Sequence, residues 1–344
     1  METADLLTTE REFLRHVWFP VARVEDVRRD GVTRARILDT DLVVYHADGV
    51  TTVADAACPH RGAALWEGRV EAGALECPYH GWLFAPQTGR CTFIPSLPPR
   101  DKLPGFTLST RPVCELYGHV WASLEEPYLP PPVINGYHAD TWDLGCGDPT
   151  DLSCGMRQLT ENFRDTAHFP FVHQKSMGPN VQRVVPTYEV NQNGWELSWN
   201  LTIDLGGTAL DAHADLANGQ TLNYSLAMPM TASVLTAFPG GSRRLVAQFA
   251  VPIAADGLTV RQFWIVGVEK NATHGVSMQE MWEYERLIFE EDFHIVENQQ
   301  PREAPLTGNT QVHTRADRFS LAYRRAYVKL LEQFSAEHGG SEPL

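Results

Sequence analysis

The sequence predicts an α+β protein with an all-β N-terminal domain and a C-terminal domain in which an antiparallel sheet accompanies a long helix. Short runs of β-forming residues fill the first third of the chain and are separated by Gly, Pro and Asp. A second series of strand-like runs begins at residue 195 with short connections between its members, which is typical of antiparallel strands. The segment 277–299 then has the length and spacing of a long helix.

Size and composition agree with this class and exclude several others. The chain has 344 residues, enough for about two domains. Its 43% hydrophobic and 21% charged residues exclude disordered, collagen-like and coiled-coil proteins. The net charge of −15 argues against nucleic-acid binding. No apolar run approaches the ~20 residues of a membrane span, and the charged N-terminus is unlike a signal peptide, so we expect a cytoplasmic protein that does not bind a membrane.

A proline-rich segment marks the predicted domain boundary. Residues 125–132 contain four prolines in eight positions, and proline fits neither a helix interior nor a central strand. We therefore predict a first domain over 1–125, a linker over 125–135 and a second domain over 136–344.

The first domain is predicted to consist of short strands joined by long loops. It begins with a short helix or an extended segment over 11–24, where several large apolar residues lie close together. The predicted strands are 36–38, 42–45, 50–53, 74–77, 82–85 and 117–124.

The second domain is predicted to combine helices with an antiparallel meander. A helix over 157–169 ends before Pro170, and residues 195–204 alternate between apolar and polar side chains, as in a half-buried strand. Two further helices are expected over 277–299 and 315–334. The other predicted strands are 221–228, 232–238, 245–252 and 259–268.

Four residues of the first domain have the spacing of metal ligands. Cys58 and His60 enclose one proline. After sixteen intervening residues, Cys77 and His80 enclose a Pro-Tyr pair. Each segment thus supplies one thiol and one imidazole, and a glycine follows each pair closely. Three interpretations are open: a structural zinc site, ordinary core residues, or a Rieske [2Fe–2S] cluster in which one iron has two cysteine ligands and the other two histidine ligands. The mixed pairs favour the cluster.

A second candidate metal site lies in the C-terminal half. The predicted helix 157–169 places Asn162, Asp165 and His168 three residues apart, on one helix face. His173 follows beyond Pro170, where the chain can return its imidazole to the side of His168. Two histidines alone could equally be surface residues.

Asp292 supplies the third candidate ligand of this second site. Its neighbours on the helix face are apolar, at 288, 289, 295 and 296, so its carboxylate points into an apolar stripe, unlike those of Glu290 and Glu291. A buried carboxylate without a partner is costly, and a metal ion removes that cost. With two histidines it completes the facial triad that leaves positions open on Fe(II) for dioxygen.

These motifs resemble those of the Rieske non-heme iron oxygenases. The stretches CPHRGAAL (58–65) and ECPYHGWLFAPQTGRC (76–91) are similar to the cluster signature of that family, and N-x-x-D-x-x-H-x₄-H (162–173) with a distant Asp is similar to its iron-site motif. The resemblance implies a helix-grip catalytic domain and gives each residue a role. The implied cluster ligands are Cys58, His60, Cys77 and His80; the iron ligands are His168, His173 and Asp292; Asn162 and Asp165 belong to the catalytic motif, with Asp165 linking the two centres.

The resemblance also implies cofactors, partners and an assembly. It implies a [2Fe–2S] cluster, a mononuclear Fe(II), O₂ as co-substrate and a homotrimer in which electrons pass between subunits. The sequence contains neither GxGxxG after a strand nor GxxxxGK[ST], so NAD(P)H would act only through a separate flavin- or ferredoxin-type reductase.

The expected reaction is hydroxylation or oxidative demethylation of a small, aromatic or largely apolar substrate, by a monooxygenase related to the phthalate, vanillate and N-methyl-xanthine enzymes. Three alternatives stay open: a cis-dihydroxylating dioxygenase, a Rieske electron carrier with a vestigial second domain, and a zinc-stabilised small-molecule binding protein. Candidates for the pocket wall are Trp195, Trp199, Leu201, Phe238, Phe263 and Trp264.

Overall fold

The computed structural model of the chain forms two compact units, one of which consists of Glu12–Pro130 together with the short segment Ile253–Ala255. It describes residues 3–205, 219–239, 241, 243–270, 276–308 and 311–338. The first helix, α1, covers Thr3–Phe13. Its residues up to Arg11 group with the C-terminal unit, whereas the sequence placed them in the first domain. The reason is a buried ion pair between Glu10 and Arg157 of that unit. The domain limits 1–125 and 136–344 otherwise stay a prediction.

The unit over Glu12–Pro130 contains the β-rich segment that the sequence predicts. The helix Val24–Asp30 and the strands Arg69–Glu71, Cys91–Phe93 and Val113–Leu116 were not predicted, and the predicted strand 117–124 covers only 119–122. Short 3₁₀ turns lie at Leu14–His16 and Leu65–Glu67. The regular elements are β1 (Phe19–Arg23), α2 (Val24–Asp30), β2 (Val32–Ile37), β3 (Thr40–Ala47), β4 (Val50–Asp55), β5 (Arg69–Glu71), β6 (Ala74–Glu76), β7 (Leu83–Phe84), β8 (Cys91–Phe93), β9 (Val113–Leu116) and β10 (His119–Ala122).

These strands form three small antiparallel sheets, in the orders β1-β10-β9, β2-β3-β4 and β5-β6-β7-β8. Strands β6 and β7 flank the second candidate ligand loop, and β4 ends shortly before the first. Cys58, Cys77 and Trp82 belong to the apolar core between the sheets, together with Tyr45 and Phe84. The core therefore fixes the base of both loops.

The C-terminal unit places helices beside one large antiparallel sheet. A 3₁₀ turn at Arg315–Asp317 leads into the last helix. The regular elements are β11 (Trp142–Cys146), β12 (Thr150–Leu152), α3 (Met156–Asn162), α4 (Phe169–Val172), α5 (Gln174–Met177), β13 (Asn191–Asn193), β14 (Glu196–Ile203), β15 (Gln220–Ala227), β16 (Thr231–Ala237), β17 (Arg243–Pro252), β18 (Val260–Glu269), α6 (Met278–Asn298) and α7 (Arg318–His338).

The sheet confirms the predicted meander. Over the described residues its order is β11-β18-β17-β16-β15-β14-β13, with β12 paired to β18. Every pair is antiparallel. The alternation predicted for 195–204 is present, because Leu197, Trp199, Leu201 and Ile203 are buried while the residues between them are more exposed. Strands β11, β12 and β13 were not predicted.

Helix α6 confirms the predicted long helix to within two residues at each end. Ser277 and Glu280 form a capping box at its start, which satisfies backbone N–H groups that have no partner within the helix. Its apolar face lies on the sheet, where the Trp264 ring contacts Trp282 and Phe289. None of the helices in the described part of the chain is long and apolar enough to cross a membrane.

The predicted helix over 157–169 is wrong beyond Asn162. Helix α3 ends there, residues 163–168 form turns, and Pro170 lies in the first turn of α4 rather than stopping a longer helix. Asp165 Oδ1 accepts a hydrogen bond from the Ala167 N–H at 2.9 Å, and such local bonds of aspartate compete with helix formation. Proline is tolerated in a first turn because its missing N–H is not needed there.

Candidate metal centres

The loop that carries Cys58 and His60 is closed by two backbone hydrogen bonds. The Cys58 N–H donates to the Ala63 carbonyl oxygen at 2.9 Å, and the Gly62 N–H donates to the Cys58 carbonyl oxygen at 2.8 Å. Gly62 has φ +70°, a conformation that side chains with a Cβ rarely adopt. The glycine is therefore part of the loop geometry.

The loop that carries Cys77 and His80 repeats this arrangement at the same offsets. The Cys77 N–H donates to the Trp82 carbonyl oxygen at 2.9 Å, and the Gly81 N–H donates to the Cys77 carbonyl oxygen at 3.0 Å. Gly81 has φ +67°. The two loops thus have the same backbone hydrogen-bond pattern, and each presents one thiol and one imidazole.

The thiols and imidazoles differ in exposure. Cys58 and Cys77 are buried, whereas His60 and His80 are exposed and their ring centroids lie 4.6 Å apart. The His60 ring also stacks on Trp82 at 4.6 Å, a contact that the sequence did not predict. Burial, together with the neighbouring Cys77 thiol, raises the pKa of Cys58 to about 11. The two thiols thus lie beside each other, as do the two imidazoles.

The second candidate site is formed by three side chains from three different segments. His168 Nε2 and His173 Nε2 lie 3.1 Å apart, and Asp292 Oδ1 lies 3.3 Å from the first and 3.6 Å from the second. His168 follows α3 by six residues, His173 follows α4, and Asp292 lies on the buried face of α6. Asp292 is 6% exposed, as the apolar stripe predicted.

Asn162 and Asp165 also lie at this site, although they do not share a helix face. The Asn162 side-chain amide donates to Asp292 Oδ1 at 3.3 Å. The His168 Nδ1–H donates to Asp165 Oδ2 at 3.0 Å. This bond leaves Nε2 facing His173 and Asp292. The Asp165 side chain is still 34% exposed, so this carboxylate borders both the site and the protein surface.

The pKa of His168 reflects this carboxylate-rich surrounding. Burial lowers it, but the hydrogen bonds and charges of Asp165 and Asp292 outweigh burial and raise the pKa of His168 to about 9. Burial likewise opposes the hydrogen bonds that Asp165 accepts, and the net result is a lowered pKa for Asp165. For His173, burial dominates and lowers the pKa.

Glu291 takes part in the site, although the sequence analysis grouped it with the outward-facing Glu290. Its Oε2 accepts hydrogen bonds from His173 Nδ1 at 3.1 Å and from the Ser176 hydroxyl at 2.6 Å, and its side chain is 11% exposed. Helix periodicity could not identify this role, because the partners come from the α4–α5 segment that folds against the helix. Glu291 and Asp165 thus each hold one imidazole by its Nδ1.

A largely apolar cavity opens beside the three converging groups. Helix α6 contributes Ile288 and Phe289 to its wall. The sheet contributes two adjacent rows that run across strands β15, β16 and β17. Register defines the rows as Tyr224–Val234–Val246 and Leu222–Thr236–Arg244.

The six residues predicted for the pocket wall lie outside it. Trp199 and Leu201 are on the same sheet rows but one strand further out, and Trp199 stacks on Tyr224 at 4.8 Å. Trp264 lies beneath α6 against Phe289. Phe263 is on the opposite sheet face, Phe238 follows the end of β16, and Trp195 precedes β14. Residue alternation identifies a sheet face but not the strands that border a cavity.

Family models match both parts of the chain. The Rieske [2Fe-2S] domain model matches residues 17–110. The model described as the vanillate O-demethylase oxygenase C-terminal domain matches residues 152–333, more than half of the chain. The first match includes the two loops that carry Cys58 and Cys77, and the second includes His168, His173 and Asp292.

Relatives align over nearly the whole length. The chain is 27% identical to the methylxanthine N1-demethylase NdmA of Pseudomonas putida over 343 residues, which is 96% of this chain and 93% of NdmA. It is 26% identical to the methylxanthine N3-demethylase NdmB of the same organism, over 94% of this chain and 91% of NdmB. The structure of Pseudomonas putida CBB5 NdmA with caffeine has the same fold, with a TM-score of 0.81 at 24% identity over 94% of this chain and 93% of that one.

Both domains of an oxygenase component are therefore present. This excludes the zinc-stabilised binding protein and favours the cluster interpretation of the cysteine and histidine pairs. The chain belongs to the Rieske non-heme iron oxygenases, enzymes that use a [2Fe–2S] cluster, a mononuclear iron, O₂ and electrons from a reductase.

Proposed function

We propose that this oxygenase removes methyl groups from nitrogen or oxygen atoms of small aromatic substrates. The observation that carries the proposal is the convergence of His168, His173 and Asp292 at the wall of a largely apolar cavity. The names of the relatives support it, because NdmA and NdmB, which align over nearly the whole chain, are N-demethylases and the C-terminal model is that of an O-demethylase.

We propose that Cys58, His60, Cys77 and His80 hold the cluster. Two thiols and two imidazoles are the donor set of a Rieske centre, and the shared backbone hydrogen-bond pattern of the two loops supports this role. The buried cysteines would face the core and the exposed histidines would face outward. The outward histidines suit electron exchange at the protein surface.

We propose that His168, His173 and Asp292 hold the mononuclear iron. Two imidazole nitrogens and one carboxylate oxygen within 3.6 Å of one another fit the facial triad. When bound, the iron would supply the site at which O₂ is reduced. Asp165 and Glu291 fix the tautomer and the orientation of the two rings, while the Asn162 amide steadies the carboxylate of Asp292.

The proposed reaction consumes O₂, two electrons and two protons for each methyl group. One oxygen atom enters the methyl carbon, which leaves as formaldehyde, and the other is reduced to water. Phe289, Tyr224 and Val246 would hold an aromatic ring beside the ligand triad, since apolar walls exclude water and orient such rings.

A product screen tests this function. The holoenzyme, supplied with a surrogate reductase and NADH, is incubated with N-methyl and O-methyl aromatic compounds, and formaldehyde is measured against O₂ uptake. Stoichiometric formaldehyde is the expected result. A cis-diol without formaldehyde would instead establish the dihydroxylating alternative, and O₂ uptake without any oxygenated product would contradict both.

We propose further that the enzyme acts in the cytoplasm as a homotrimer in which the cluster of one subunit serves the iron of the next. The partly exposed Asp165 supports this arrangement, because a neighbouring subunit can reach its carboxylate. Asp165 and His168 also border a second, polar cavity, lined in addition by Glu161, Gln311 and Arg324.

Replacing Glu291 with glutamine is expected to weaken iron binding by about 10- to 100-fold, the usual effect of losing a carboxylate behind a metal-bound histidine. The amide cannot offer a charged acceptor to both His173 and Ser176. Iron retained after dialysis against a chelator measures the effect. Glu290→Gln is the matched control. Glu290 is the exposed neighbour of Glu291 and pairs only with Arg286 among the described residues. Equal iron retention in both variants would contradict the role of Glu291.

Metal binding to protein that keeps its cluster but lacks the mononuclear iron is expected to strengthen with pH. A pKa of about 9 keeps His168 protonated at neutral pH, and a metal ion must displace that proton. Affinity for Co²⁺, measured by calorimetry because the cluster absorbs visible light, should rise about tenfold per pH unit between about 6.5 and 9 and then level off. In Asp165→Asn the plateau should begin at a lower pH. An affinity that is constant across this range would contradict the proposed proton release.

A further inference from the structure

Apart from the candidate iron ligands and Asn162, the largely apolar cavity wall contains a buried ion pair that it does not require. Arg244 from β17 and Glu285 from α6 both border the cavity. The Arg244 Nη1 and Glu285 Oε1 atoms lie 2.9 Å apart, and the residues are 8% and 4% exposed. Thr236 stands directly opposite Arg244 in the sheet register and is fully buried. Three polar side chains therefore meet in one part of the wall.

These side chains have hydrogen-bonding capacity that the described residues do not use. Arg244 Nε and Thr236 Oγ1 have no hydrogen-bond partner there, and the ion-pair contact does not give Glu285 Oε1 a well-aligned hydrogen bond. The Arg244 guanidinium also contacts the side chain of Tyr284, and Arg244 Nη1 contacts Met281 Sδ, a weak acceptor, at 3.8 Å. Buried polar atoms are normally paired, and leaving them unpaired is costly.

A structural ion pair in the same unit shows the contrast. Arg324 and Glu161 are about equally buried, and two parallel hydrogen bonds of 2.6 and 2.7 Å join them. This bidentate geometry is the stable form of an arginine–carboxylate pair. Both pairs border a cavity, but only a single contact of 2.9 Å joins Arg244 to Glu285. A ligand in the cavity can therefore complete the hydrogen bonds that this pair lacks.

The position of the pair relative to the iron ligands defines two ends of the cavity. Glu285 and Asp292 lie seven residues apart on the buried face of α6, which is about 10 Å along the helix axis. Ile288 and Phe289 lie between them and form an apolar middle section. A substrate that reaches both ends has its reacting group at Asp292 and a polar group at Glu285.

We infer that Arg244, Glu285 and Thr236 form a recognition site for a neutral group with adjacent hydrogen-bond donor and acceptor atoms, such as an amide, lactam or imide at the end of the substrate opposite to its methyl group. The arginine and threonine donate to a carbonyl oxygen, and the glutamate accepts from an N–H. The pair carries no net charge, so an anionic group would gain attraction from Arg244 and lose it to Glu285. This inference rests on the proposed demethylase function.

Binding of three matched probes tests the inference without turnover. The probes 4-methoxybenzamide, 4-methoxyacetophenone and 4-methoxybenzoate carry the same methoxy group, and at the opposite end of the ring they carry a donor–acceptor, an acceptor-only and an anionic group. Their dissociation constants are measured calorimetrically with anaerobic holoenzyme. We expect the amide to bind at least tenfold more tightly than the ketone or the carboxylate, because the ketone cannot donate to Glu285.

Variants then separate recognition from folding. Glu285→Gln leaves the Arg244 cation uncompensated, so the preference should shift at least tenfold towards 4-methoxybenzoate. Thr236→Val keeps the size of the side chain. It should weaken binding of the amide and the ketone several-fold but leave binding of 4-methylanisole unchanged. This variant tests the site even if Glu285→Gln does not fold. Glu283→Gln, an exposed position on the same helix, is the control and should change nothing.

Two results would overturn the inference: the absence of any preference for the amide, including failure of all three probes to bind, or a Glu285→Gln variant that folds but gains no affinity for the carboxylate. Failure of the demethylase function is a separate outcome. In that case the affinity ranking persists while no probe yields formaldehyde with the reductase present.

Discussion

Asp165→Asn is expected to lower turnover at least ~100-fold even at iron concentrations that keep both metal centres occupied. Asparagine can still accept the hydrogen bond from the Ala167 N–H, so the turn after α3 is kept. It removes the charged acceptor at His168 Nδ1 and the carboxylate through which the neighbouring cluster would deliver its electron. Product formation, iron content and the visible spectrum of the cluster give the result.

Asp256→Asn is a matched control for this variant, because Asp256 also accepts a backbone hydrogen bond two residues ahead, from the Leu258 N–H, and is exposed. Co-expression with Cys77→Ser tests the route of the electron. Each variant alone should be nearly inactive, but mixed assemblies of the proposed trimer should recover activity, since the cluster of one chain would serve the intact iron site of the next. No recovery in confirmed mixed oligomers would contradict transfer between subunits.

Asp292→Ala is expected to abolish turnover, by about 1,000-fold or more, and to remove the mononuclear iron while the cluster remains. The substitution takes away one of three converging ligand atoms, and two imidazoles alone hold Fe(II) weakly. Metal analysis should fall from about three irons per chain to about two, with an unchanged cluster spectrum.

Glu290→Ala and Glu297→Ala are the corresponding controls for the carboxylate assignment. Glu290 pairs with Arg286 at the surface, and Glu297 accepts a hydrogen bond from the Ser153 N–H. Both variants should retain three irons. Loss of the mononuclear iron from either of them, with its retention in Asp292→Ala, would reassign the ligand.

The sequence was sufficient for elements whose side chains repeat with a clear period. Strand β14 and helix α6 bury the residues that their periods predict, and Asp292 was identified as inward-facing for the same reason. The metal-ligand candidates were identifiable because cysteine and histidine spacing reflects a local loop geometry. The backbone hydrogen bonds of the loops at Cys58 and Cys77 are of this local kind.

Features that depend on contacts between distant segments could not be predicted. Asn162, Asp165 and His168 were expected on one helix, but the aspartate turn ends that helix, and the site is assembled by side chains that reach back. Glu291 was assigned to the outer surface because the segment that covers it is distant in sequence. The cavity wall depends on sheet register, which alternation along one strand does not determine.

The two carboxylates that accept hydrogen bonds from the histidine pair differ in their solvent exposure. Asp165, behind His168, is one-third exposed, whereas Glu291, behind His173, is almost enclosed. A molecule that docks on this face can therefore displace or protonate the support of one imidazole without disturbing the other. At the proposed iron site, an external event would then act through one imidazole only, while His173 and Asp292 would keep their positions.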